Sequence, residues 1–88
     1  MDIAIARVTH YYETLRIAVV EVLNQALKVG DKVKISSPDR EFVQEVTSLQ
    51  VEYTEVLEVA AGDLCGLRVD QPVGTGDVLF LLTRKNHE

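Results

Sequence analysis

An all-β fold, a single small closed β-barrel of about six strands, is what the sequence predicts from its turn signals and its alternation. Three Gly-Asp pairs punctuate the chain: Gly30-Asp31, Gly62-Asp63 and Gly76-Asp77. Each is followed by a short apolar segment, Lys32–Ile35, Leu64–Val69 and Val78–Leu82 respectively. Glycine supplies the positive φ of a tight turn, and aspartate tolerates turn geometry and bonds nearby amides. Gly66 is counted with these turn glycines as a structural position. The pairs could be mistaken for phosphate-cradling loops, but each precedes a strand pattern and not a helix start. Turns at this spacing, between Val/Ile-rich runs, mark a barrel or a sandwich.

Taken in order, the segments support that reading. Ile3, Ile5 and Val8 change phase near Arg7, as a bulged strand does. Residues 14–28 are ambiguous. Leu15, Ala18, Val19, Val22, Leu23, Ala26 and Leu27 follow a helical period, with Thr14 as N-cap and Gly30 as stop. The β-branched Ile17, Val19, Val20 and Val22 favour a strand instead. Val33 and Ile35 alternate with Lys32 and Lys34, and Ser36-Ser37-Pro38-Asp39 makes a turn. Phe42, Val46, Leu49 and Val51 change phase once, which places a bulge near Thr47 or Ser48. Bulges of this kind curl a small sheet toward closure. Leu67 and Val69 alternate about Arg68, and residues 70–75 form a loop before the last strand. The barrel domain is expected over 1–83, with 84–88 as a polar tail containing His87.

A chain of 88 residues makes one domain with a thin core, and its 47% apolar content suits a folded protein. The longest apolar runs, such as Ile17–Val20, are far too short for a membrane helix. No secretory signal opens the chain, so a cytoplasmic location is expected. Cys65 is alone and sits among apolar neighbours, as a small buried hydrophobe would. The net charge of −5 is uneven: from Gln44 to Leu67 there is no Lys or Arg, while Glu45, Glu52, Glu55, Glu58 and Asp63 are acidic. A protein that wraps duplex nucleic acid shows the reverse.

No catalytic constellation emerges, and the expectation is a non-enzyme without cofactor or metal. Two histidines, His10 and His87, offer no zinc spacing. No serine sits in a nucleophile elbow. No phosphate-binding loop of the G-x-x-x-x-G-K-[ST] type occurs, so no nucleoside triphosphate site is expected. The candidate binding residues are His10, Tyr11 and Tyr12, with Arg7 and Arg16 beside them. Rings next to guanidinium groups can stack on bases or on a peptide, or they can cap the open end of a barrel.

The stretch Leu27-Lys28-Val29-Gly30-Asp31-Lys32-Val33 resembles the K-V-G-D-x-V signature of the second domain of translational GTPases such as elongation factor Tu. Ala60–Leu67 is similar to that family's A-G-D/E-x-V-G segment, and Val73–Leu79 to its closing G-D-V-L segment. Val8-Thr9-His10-Tyr11-Tyr12 and the run Asp39–Gln50 are similar to short stand-alone proteins of translation elongation factor-like type. A similar barrel ends collagenase-like peptidases. The resemblance implies a strand over residues 15–23 and a translation-factor barrel lacking its GTPase. It further implies a binding module docking on RNA or a ribonucleoprotein, tRNA or the ribosome. The alternative it implies is a protein-interaction subunit, acting with a partner such as a collagenase-like peptidase. The acidic stretch Glu45–Asp63 favours that alternative, since such a face suits a basic protein partner.

Overall fold

Buried side chains recur at every second position over residues 17–22, 32–36 and 64–69, and that period decides the architecture. The computed structural model describes residues 3–83. Ten strands and no helix occur among them. They are β1 (Ile3–Tyr12), β2 (Ile17–Val22), β3 (Leu27–Lys28), β4 (Lys32–Ser37) and β5 (Arg40–Glu45). The chain continues through β6 (Leu49–Val51), β7 (Thr54–Val56), β8 (Glu58–Val59), β9 (Leu64–Arg68) and β10 (Val78–Thr83). Eight form one antiparallel sheet in the order β5-β4-β10-β1-β2-β9-β6-β7, and β3 and β8 form a separate ribbon. No helix of the described residues is long and apolar enough to cross a membrane.

The contested segment is a strand. Ala18, Val20 and Val22 are fully buried, while Ile17, Val19 and Glu21 are half-exposed. The β-branched side chains win over the helical period because β1 and β9 flank this strand on both sides. The phase change near Arg7 resolves into two register shifts, between Ala4 and Ala6 and between Val8 and His10. As a result Ile5, Ala6 and Val8 are all buried while Arg7 is exposed.

The sheet is curled but not closed into a barrel, which corrects the expected closed architecture. Its ends are β5 and β7. The bulge expected near Thr47 and Ser48 is instead a crossover: residues 46–48 belong to no strand and carry the chain from β5 to β6, near the sheet's other end. The four steps from Glu45 to Leu49 reach only about 14 Å, with about 3.5 Å for each. The two ends must therefore lie close together, and the curl follows. The seam between them is filled by the crossover, by the β3–β8 ribbon and by one side chain. Val46 is fully buried, and the Val29 amide bonds the Leu57 carbonyl at 3.0 Å.

The side chain is that of Gln44, on β5 and only 5% exposed. Its amide nitrogen donates to the Arg68 carbonyl at 2.9 Å, and its amide oxygen accepts from the Asp70 N–H at 2.9 Å. A carboxamide presents the same donor and acceptor as a peptide group. Gln44 therefore substitutes for a ladder rung between β5 and the far end of β9.

Candidate docking surfaces

The five candidate binding residues do not form one site. In β1 the bulge at Thr9 resets the alternation, so His10 and Tyr12 face outward and Tyr11 packs against the core. Tyr11 lines a shallow depression with Glu13, Arg16, Asp70, Gln71 and Pro72. Arg16 ends the β1–β2 loop in a left-handed conformation, φ 57°. Arg7 lies elsewhere, ion-paired with Glu21 across β2 at 3.0 Å. That pair is solvent-exposed and contributes at most about 1 kcal/mol. His10 contacts the Thr9 hydroxyl through Nδ1 at 3.3 Å. Of the three rings, only Tyr12, at 52% exposure, stands out on the sheet's outer face as a large hydrophobic group.

The Gly-Asp pairs are turns, and all three have the same construction. Gly30, Gly62 and Gly76 take φ of 99°, 94° and 95°. In each turn the Asp N–H bonds the carbonyl three residues back, at 3.1 Å in every case. A glycine with positive φ at the third position marks these as type II turns. Each turn also finishes a ladder. The Asp carbonyl accepts from a valine N–H and the Gly N–H donates to the same valine's carbonyl, at 2.7–2.9 Å. The valines are Val46, Val22 and Val8, and all are buried. Two of the turns add a side-chain bond. Asp31 Oδ2 accepts from the Lys28 N–H at 3.0 Å, and Asp77 Oδ2 from the Gly74 N–H at 2.8 Å. These carboxylates are 1% and 8% exposed, whereas Asp63 is exposed. Gly66 is not a turn. It lies in the middle of β9 between Val19 and Gln50, where an added Cβ would meet Ile17 Cγ2 at 3.3 Å.

Cys65 is 4% exposed, and burial, with the Asp63 carboxylate next in effect, pushes its thiol up to about 11. It stays protonated at neutral pH, and a protonated thiol is a poor nucleophile. Among the described residues no three His, Cys, Asp or Glu side chains group to hold a metal ion.

One exposed element went unread in the sequence. The ladder β6–β7 pairs Val51 with Thr54, leaving Glu52 and Tyr53 as a two-residue hairpin turn. Both have positive φ, 51° and 68°, as a type I′ turn requires. Tyr53 is 98% exposed. No Asn-Gly or Asp-Gly marks the turn, so the usual hairpin signal is missing. Leu57 and Leu64, at 79% and 56% exposure, are further large apolar groups in the same acidic part of the chain.

No family model matches the chain. It is 31% identical over 81 residues to an uncharacterised protease of Methanocaldococcus jannaschii, a match that covers 91% of this chain and 20% of that protein. The chain thus spans about a fifth of the length of the curated relative it matches. Among solved structures it superposes on the C-terminal domain of a Geobacillus thermoleovorans protein assigned as a U32 peptidase. The TM-score is 0.83 at 20% identity, and 93% of each chain is covered. The selenomethionine variant of that domain gives the same TM-score at 18% identity, with 89% of this chain and 98% of that one covered.

These likenesses overturn the expected kinship with translation factors. The fold is that of a U32 peptidase C-terminal domain, and docking on RNA, tRNA or the ribosome has no support. Short Gly-Asp-apolar motifs misled because they encode a turn that finishes a ladder, and any small curled sheet can use that turn.

Proposed function

We propose that the chain is an interaction module that works with a catalytic domain of U32 peptidase type, on another chain or on flanking sequence, and that it performs no catalysis itself. One observation carries this reading: the chain corresponds to only a fifth-length segment of a protease, and its fold is that of a peptidase's C-terminal domain. The state of two candidate nucleophiles supports the non-catalytic part of the reading. The thiol of Cys65 is buried and held protonated. The Ser37 hydroxyl is committed to the Arg40 carbonyl at 3.0 Å.

The test uses the Methanocaldococcus jannaschii protease with its matching segment deleted, its folding checked by circular dichroism, and titrated calorimetrically with this chain. The expected result is a 1:1 complex with Kd of about 1 μM or tighter. Failure to form a complex at tens of times that concentration sinks the reading. Hydrolysis of peptides by the chain alone would overturn its non-catalytic part.

A further inference from the structure

We infer that the β6–β7 hairpin tip, Glu52-Tyr53, is the docking element, and that it fits an apolar pocket ringed by Lys and Arg on the peptidase-type catalytic domain. This rests on the reading above. Type I′ turns strongly prefer Asn-Gly, because both central residues need positive φ. Here both positions carry large side chains, and a bulky residue in the left-handed region is strained. Such strain persists where a site uses the residue it holds. The fold draws no packing from the tyrosine, whose side chain is almost wholly in water.

The backbone that carries the ring is nevertheless held in place. β6 is hydrogen-bonded to β9 on one side and β7 on the other, and its Leu49 is fully buried. A two-residue turn on such a base leaves little freedom to lose on binding. A tyrosine on a fixed backbone offers large amphipathic contact area with only two side-chain torsions to order, and tyrosines are enriched among the residues that dominate interfaces.

Charge selects the partner. Residues 45–67 contain no Lys or Arg; Glu52 and Glu55 lie in the hairpin itself, and Glu58, paired across its ribbon with Lys28, and Asp63 follow it in sequence. A nucleic acid or an anionic bilayer is disfavoured by the carboxylates of this hairpin, and a second copy of the chain would set acid against acid. A basic rim around an apolar pocket complements it, and its contribution to association falls with salt.

Glu52→Asn/Tyr53→Gly separates docking from folding. The change installs the preferred turn, so the melting temperature should rise, while affinity for the segment-deleted protease falls at least about tenfold. Tyr53→Phe should keep most of the affinity and Tyr53→Ala should lose it. Raising salt should weaken the wild type. If the wild type binds and the double variant binds equally, the tip is not the docking element, although the functional reading stands. If the melting temperature falls, the strain argument is wrong. If the wild type does not bind at all, both are overturned.

Discussion

The seam of the sheet and the β6–β7 hairpin make similar demands on the chain and meet them in opposite ways. At the seam, every awkward group is compensated. Positive φ falls on Gly30, where the buried Asp31 caps the Lys28 amide, and the same construction recurs away from the seam at Gly76-Asp77, beside β1. The backbone groups at the end of β9, the Arg68 carbonyl and the Asp70 amide, are answered by the carboxamide of Gln44 from β5. At the hairpin, positive φ falls on Glu52 and Tyr53, and the ring points into water. The seam residues are explained once the fold is understood, and the hairpin residues are not. A cost with no return inside the domain is a reason to look for its return outside.

The largest effect expected at the seam is from Gln44→Ala. It removes the partner of the Arg68 carbonyl and of the Asp70 amide, two part-buried bonds, each costing roughly 1–3 kcal/mol where the group is left unsatisfied. A loss of about 3 kcal/mol in denaturant unfolding is the expected outcome. A loss under about 1 kcal/mol would mean that water replaces the amide and that the seam does not depend on it.

Gly76→Val should cost somewhat less, about 2 kcal/mol. Nothing lies within 4 Å of the added Cβ, so the penalty is conformational and not steric crowding. It isolates the price of positive φ for a β-branched residue where the fold needs the turn. The change at Tyr53→Gly makes the reverse move where the fold does not. Thermal unfolding of the two variants should therefore shift in opposite directions from the wild type.

What the sequence made legible follows from where its signals lie. Gly30, Gly62 and Gly76 are visible because positive φ leaves glycine as its mark, and the buried face of β4 is visible because Val33 and Ile35 alternate with lysines. The strand at residues 17–22 was equally compatible with a helix, since amphipathic periods overlap over six residues. Closure was illegible because it depends on whether β5 meets β7, and alternation within a strand carries no information about its neighbour. Gln44 looked like any polar strand residue, and its burial exists only once β9 arrives. The ring cluster misled for a related reason. One bulge at Thr9 sends Tyr11 inward and His10 and Tyr12 outward, and adjacency in sequence cannot show that.

The smallest effect is the most discriminating, because it compares two turns built alike. Asp77→Ala removes the buried acceptor of the Gly74 N–H, at 2.8 Å, and should cost about 1–2 kcal/mol. Asp63 contributes its carbonyl and amide to the same backbone construction, but its side chain is exposed, so Asp63→Ala should fall within about 0.5 kcal/mol of wild type. Equal losses at both positions would show that the carboxylates act through turn propensity in the unfolded chain and not through the bonds seen here. Unequal losses would place the stabilisation in the buried capping bond. The added stability of the Gly30 and Gly76 turns over the Gly62 turn would then be traced to two carboxylates, since glycine supplies the positive φ in all three.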